Sequence, residues 1–196
     1  VSPIPDSGVP AAIGYSQIVG LPYELALIRS HFVGRTFIEP QQKIREAGVL
    51  LKHSPNRGAV EGKRVVLVDD SIVRGTTSRK IAEKLFDAGA REVHLRVACP
   101  PIVHPDFYGI DTPRKEELIA ANMSVEEMRE ALDVTSLAFL SLDGLYDALG
   151  FGPRDHAAPA FTDHCFTGDY PTRLTDERER RESATIEQFS FQVDTV

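Results

Sequence analysis

One stretch narrows the folds open to this chain more than any other. Val65 to Lys80 reads V-V-L-V-D-D-S-I-V-R-G-T-T-S-R-K. Val65 to Val68 form a short, mostly β-branched apolar run, the pattern of a strand buried on both faces of a parallel sheet. The run breaks into two adjacent acids, Asp69 and Asp70, which have no place in a core. Gly75, Thr76, Thr77 and Ser78 follow, and then Ile81, Ala82, Leu85 and Phe86 recur at helical spacing. A loop is thereby predicted between the carboxyl end of a strand and the N-terminus of a helix. Free backbone N–H groups and the helix dipole favour a phosphate there. The acids repel phosphate but suit sugar hydroxyls, or a metal ion carried in with the phosphate. Together they describe a site for a phosphorylated sugar.

A hydrophobic run ending in Asp also occurs in P-loop ATPases, which need G-x-x-x-x-G-K-[ST] as well. The nearest stretch, Gly58-Ala59-Val60-Glu61-Gly62-Lys63-Arg64, is one residue short between glycines and ends in Arg. That class is rejected. Net charge is −7, so there is no basic footprint for nucleic acid or an anionic membrane. Phosphate binding must be local. No run of 18 apolar residues and no signal peptide is visible, which points to the cytoplasm. The two cysteines, Cys99 and Cys165, are too few for a disulfide framework.

The wording V-D-D-S-I-V-R-G-T-T-S-R resembles the phosphoribosyl-diphosphate (PRPP) motif of type I phosphoribosyltransferases, and in particular that of the amidophosphoribosyltransferases that open purine synthesis. Other stretches are similar in register. Pro5-Asp6-Ser7-Gly8 resembles the P-[DE]-S-G loop that cups the diphosphate, G-R-T-F-I-E-P begins at Gly34, and Pro100 to Thr112 resembles P-P-I-x-H-P-x-F-Y-G-I-D-T. The resemblance covers about Val1 to Thr175. It implies a type I phosphoribosyltransferase fold, α/β with a mostly parallel sheet flanked by helices. The core is expected over 1–150, an irregular family-specific segment over 151–175 and a charged tail over 176–196. It also implies an N-terminal part of the core, and a glutaminase domain, lying outside this chain.

For the site, the resemblance implies Asp69 and Asp70 as the catalytic acids that hold ribose hydroxyls. Ser71, Ile72, Val73, Arg74, Gly75, Thr76, Thr77 and Ser78 would grip the 5′-phosphate. Asp6, Ser7 and Gly8 would cup the diphosphate, with Ser7, Asp69 and Asp70 sharing a Mg²⁺ ion brought by PRPP. Gly34 to Arg64 is similar to a lid closing over PRPP, with Arg35 and Lys52 among its cations. The implied reaction forms 5-phosphoribosylamine and diphosphate from PRPP and glutamine-derived ammonia. The implied partners are PRPP, ammonia, purine nucleotides as feedback inhibitors and further copies of the chain, with no nucleic acid or membrane. A nucleobase phosphoribosyltransferase and a non-catalytic PRPP-binding regulator stay open as alternatives.

The remaining expectations are local. Ile18, Leu21, Leu25 and Ile28 recur at helical spacing, with Pro22 near the first turn of a second helical piece. A strand is expected over Val93 to Ala98, a helix from the capping box Ser124-Val125-Glu126-Glu127, a strand over Thr135 to Leu140 and a helix closed by Gly150. Cys99 beside Pro100-Pro101 reads as an inert thiol. His104 and Asp106 read as a hydrogen-bonded loop rather than a metal or acid–base pair. Iron–sulfur members of the family carry a C-x-x-C pair before F-T-G-x-Y-P. Here Thr162 stands at one place and Cys165 at the other, so no iron–sulfur cluster is expected.

Overall fold

The computed structural model describes residues 1–30 and 53–174. Its centre is a four-stranded parallel sheet in the order β1 (Ser2–Pro3), β4 (Arg64–Asp69), β5 (Glu92–Val97), β6 (Ser136–Phe139). A separate antiparallel ribbon pairs β2 (Leu27–Arg29) with β3 (His53–Pro55). The helices are α1 (Val9–Val19), α2 (Arg57–Val60), α3 (Thr76–Asp87), α4 (Ile119–Asn122), α5 (Val125–Ala131), α6 (Leu142–Ala148) and α7 (His164–Thr167), with a 3₁₀ turn at Lys115–Glu117.

The sequence pattern explains these elements. In β5, Val93, Leu95 and Val97 alternate inward against Glu92, His94 and Arg96, the period of a strand. In α3, Ser78, Ile81, Ala82 and Leu85 form the buried stripe, the period of a helix. These two sets meet Val65, Leu67, Met128, Leu132 and Val134 in one core. Helix α3 ends at Ala88, and Gly89 takes φ 96°, a left-handed conformation that glycine reaches without steric cost. The capping box at the start of α5 is formed in both directions. Ser124 Oγ accepts from the Glu127 N–H, and the Ser124 N–H donates to Glu127 Oε2.

Two expectations are corrected. The spacing of Ile18, Leu21, Leu25 and Ile28 does not mark a second helix. Helix α1 stops at Val19 because Gly20 turns left-handed, and the chain then runs extended into β2. All four side chains are exposed, Ile18 at 89%, so the spacing was a coincidence of exposed apolar residues. The stretch read as a lid is also shorter at its C-terminal end. His53 to Pro55 pair with β2 and Val60 is fully buried in the core, so residues 53–64 belong to the body of the fold. Arg35, Lys52 and most of that stretch lie outside the described residues, as does the charged tail.

Candidate functional site

Two loops leave the carboxyl edge of the sheet side by side. β1 and β4 are parallel, with Pro3 opposite Val68. The chain therefore emerges from both strands in the same direction, the place where open α/β sheets hold ligands. The Ile4 N–H donates to the Val68 carbonyl at 2.8 Å, and the Gly8 N–H returns to the Ile4 carbonyl at 3.1 Å. Pro5-Asp6-Ser7-Gly8 is thus a tight turn feeding α1. Gly8 lies flat against β4: a Cβ there would stand 2.4 Å from the Val68 carbonyl oxygen. Asp6 and Ser7 are exposed, and Asp6 pairs with Arg29 of β2.

The second loop follows β4. Gly75 caps α3 with φ 77°, and no side chain caps the helix. The first-turn N–H groups of α3 have no partner within the helix and point out of its N-terminus, where the loop precedes it. Thr76 and Thr77 begin that turn, with Thr77 exposed. Not every residue of the stretch presents its side chain. Ile72 and Ser78 are buried, so only their backbones are available to a ligand. The Arg74 guanidinium is paired with Glu117 across 3.0 Å.

The two acids are unlike. Asp70 is exposed and Ser71 Oγ donates to it at 3.4 Å, whereas Asp69 is buried and its Oδ1 accepts the Asp70 N–H at 3.0 Å. Burial, reinforced by the neighbouring Asp70 charge, pushes the Asp69 carboxyl up to about 8. Burial thus favours the protonated form of Asp69, while Asp70 lies exposed beside it. The hard oxygen donors Ser7 and Asp70, both exposed, suit Mg²⁺, which keeps several waters and takes few protein ligands. Asp69, the third oxygen donor expected there, is buried behind them. Cys99 feels the same acids: burial first, then Asp70 and Asp69, push its thiol up to about 12. A thiol raised in this way is a poor nucleophile, which supports the reading of Cys99 as inert.

Farther along, Asp106 is bonded to a different histidine from the one its sequence neighbourhood suggested. Its Oδ1 accepts from His164 Nε2 at 2.7 Å, and its Oδ2 accepts the N–H groups of Tyr108, Gly109 and Ile110. His104 takes no part in this pair and instead lies edge-on to Tyr170. Asp106, His164 and Cys165 each bring a potential ligand atom within 4.8 Å of the others. The carboxylate already accepts from four donors: Asp106 closes a hydrogen-bonded loop as expected, but with His164, 58 positions away, in place of His104. Arg29 and Glu117 went unremarked in the sequence. Each is an ordinary charged residue whose partner is set by the fold, so no local signal could have found it.

Comparison with known proteins bears on the same residues. The phosphoribosyl transferase domain family matches residues 1–127. The amidophosphoribosyltransferase of Rhizobium etli is 62% identical over 178 residues, covering 90% of this chain and 36% of that protein. The Bacillus subtilis amidophosphoribosyltransferase is 55% identical over 174 residues, covering 89% of this chain and 36% of its own length. Among solved structures, the glutamine PRPP amidotransferase of B. subtilis complexed with ADP and GMP superposes with a TM-score of 0.76 at 54% identity, covering 88% of this chain and 38% of that one. The chain thus spans little more than a third of the length of the relatives it matches. The family match spans strands β1, β4 and β5, the acid pair and the glycine-capped helix start, and the chain belongs to the phosphoribosyl transferase domain family.

Proposed function

We propose that this chain is the phosphoribosyl-transfer part of an amidophosphoribosyltransferase, displacing diphosphate from C1 of PRPP with ammonia to give 5-phosphoribosylamine. The reading rests on one observation above all: the Pro5–Gly8 turn and the Asp69–Thr76 loop leave adjacent parallel strands on one edge of the sheet. A ligand with a phosphate at one end and a diphosphate at the other fits between two such loops. The α3 N-terminus receives the 5′-phosphate through backbone N–H groups. The Pro5–Gly8 turn receives the diphosphate, with Arg29 offsetting the charge of Asp6 beside it.

As the C1–diphosphate bond breaks, the ribose ring gains positive charge. Asp70, exposed at the site, would hold ribose hydroxyls and support that charge electrostatically. Asp69 behind it orients the pair through its bond to the Asp70 N–H. Mg²⁺, when bound with PRPP, supplies charge neutralisation at the leaving diphosphate, held by Ser7 and Asp70 and by Asp69 once deprotonated. No strong protein base is required, because ammonia is already a nucleophile.

Ammonia is taken to come from glutamine through a glutaminase domain outside this chain, and the work to take place in the cytoplasm as the first step of purine synthesis. Purine nucleotides are proposed as inhibitors, in keeping with the ADP and GMP in the related B. subtilis structure. An iron–sulfur cluster has no place in this reading, since Cys165 offers a single thiolate in the C-terminal segment. Calorimetric titration with PRPP and Mg²⁺, followed by an ammonia-dependent diphosphate-release assay, tests the proposal. Binding with release supports it; release dependent on a nucleobase instead of ammonia assigns the chain to the nucleobase enzymes, and no PRPP binding refutes it.

A further inference from the structure

The phosphate loop is held from below by a segment that no substrate-site motif includes. Three consecutive loop residues are engaged by it. The Val73 carbonyl accepts the Ile119 N–H at 3.0 Å. The Arg74 Nε donates to Glu117 Oε2 at 3.0 Å, joining residues 43 positions apart. Gly75 stands so close to the same segment that a Cβ would meet Ile119 Cδ1 at 2.8 Å, with Leu132 Cδ2 at the end of α5 also 3.0 Å away. Between Glu117 and Ile119, Leu118 is fully buried and anchors the 3₁₀ turn. The segment is therefore a fixed support.

The Arg74–Glu117 pair is partly solvated, with side chains 29% and 46% exposed, and such pairs add little to stability. Its effect is directional. It ties the Arg74 side chain to the 3₁₀ turn, next to the Val73–Ile119 backbone bond, so the loop is held at two successive residues. The backbone N–H groups that precede and begin α3 can hold a phosphate only if that backbone keeps its curvature. We propose that Glu117 is a positioning residue of the phosphate loop, acting through Arg74 and without touching the ligand. This rests on the phosphoribosyl reading above. Arg74 then serves the loop, and recognition of the 5′-phosphate falls to backbone donors and to Thr76 and Thr77.

The test compares Glu117→Ala, the reversals Arg74→Glu and Glu117→Arg, and the double reversal R74E/E117R. PRPP affinity is read by calorimetry with Mg²⁺, stability by thermal unfolding, and loop order by amide hydrogen exchange over residues 71–78 in the ligand-free chain. Glu117→Ala should weaken PRPP binding roughly tenfold, short of the hundredfold that an ångström of misplacement costs at a reacting centre. The midpoint of unfolding should stay within about 2 °C, as expected of a surface pair. Exchange at 71–78 should accelerate, and the double reversal should regain most of the affinity that each single reversal loses. Wild-type affinity and exchange in Glu117→Ala would overturn the role of Glu117 while leaving the phosphoribosyl reading intact. So would a double reversal no better than the single ones. If the unmutated chain binds no PRPP, that reading fails, and the exchange measurement still decides whether Glu117 orders the loop.

Discussion

Gly8 is the sharpest place to test how the two loops are held together. Its backbone has φ −71° and ψ −9°, ordinary helical values that alanine adopts without strain. Judged by dihedral angles alone, Gly8→Ala should stabilise the chain by about 0.4–1 kcal/mol, because alanine narrows the unfolded ensemble. Packing reverses the sign. The new Cβ would stand 2.4 Å from the Val68 carbonyl oxygen and 2.9 Å from that of Ile4, and both are backbone atoms. Val68 belongs to the buried central strand β4, so the turn must yield, by about 0.6 Å to reach the nearest separation that real Cβ atoms show. Overpacking of this kind costs about 1–3 kcal/mol. Set against the entropic gain, a net loss of about 1–2 kcal/mol is expected, or about 2–8 °C in Tm for a chain of this size. Because the displaced residues are Asp6 and Ser7, PRPP affinity should fall with it. Gly14→Ala, in the middle of α1 with nothing within 4 Å of its Cβ, is the control and should raise Tm slightly. Thermal unfolding and PRPP calorimetry on both variants decide the matter. If Gly8→Ala matched the control in Tm and the wild type in affinity, the close packing of the turn on β4 would be wrong.

Asp69→Asn should fold with near wild-type stability, since the neutral amide resembles the protonated buried carboxyl. Asp69→Asn and Asp70→Asn together should abolish PRPP-dependent turnover, and unchanged turnover in the double variant would remove the acids from the mechanism. Arg154→Met should lower Tm by roughly 5–10 °C, because it strands the buried Asp163 carboxylate that Arg154 grips with Nε at 2.6 Å and Nη2 at 3.1 Å. Burial alone would raise the Asp163 carboxyl, but the hydrogen bonds from Arg154, Tyr146 and Thr167 outweigh it and hold it below its ordinary value. Its stabilisation is thus complete above the ordinary carboxylate range and is lost as pH falls through the depressed folded value. Circular dichroism melts between pH 7 and pH 3 should show the wild type losing its advantage over Arg154→Met at the acid end. A gap that stayed constant would exclude ionised Asp163 as the cause. Glutamate production from glutamine should be absent from the 196-residue polypeptide, because its two cysteines, both half-buried, have thiols pushed up by desolvation and nearby carboxylates and so make poor nucleophiles. A rate above background that survives Cys99→Ser with Cys165→Ser would contradict this.

What the sequence determined by itself was the local grammar of the site. A β-branched run, two acids, a glycine and a helical stripe are neighbours in the chain, so their order alone implies a loop at a strand's carboxyl end feeding a helix N-terminus. The capping box of Ser124 and Glu127 and the helix stops at Gly89 and Gly150 were legible for the same reason: each is decided within four residues. The exposed side chains of Ile18, Leu21, Leu25 and Ile28 show where that grammar misleads, since helical spacing carries meaning only when a neighbouring surface covers one face. The tertiary structure decided everything that depends on which elements meet. It buried one acid of the pair, in surroundings that favour its neutral form, and left the other open to solvent. It gave Asp6 to Arg29, Arg74 to Glu117 and Asp106 to His164. A charged side chain carries no local mark of its partner. The partner is fixed by which strands lie side by side and which turn packs beneath which loop, and that is a property of the sheet order.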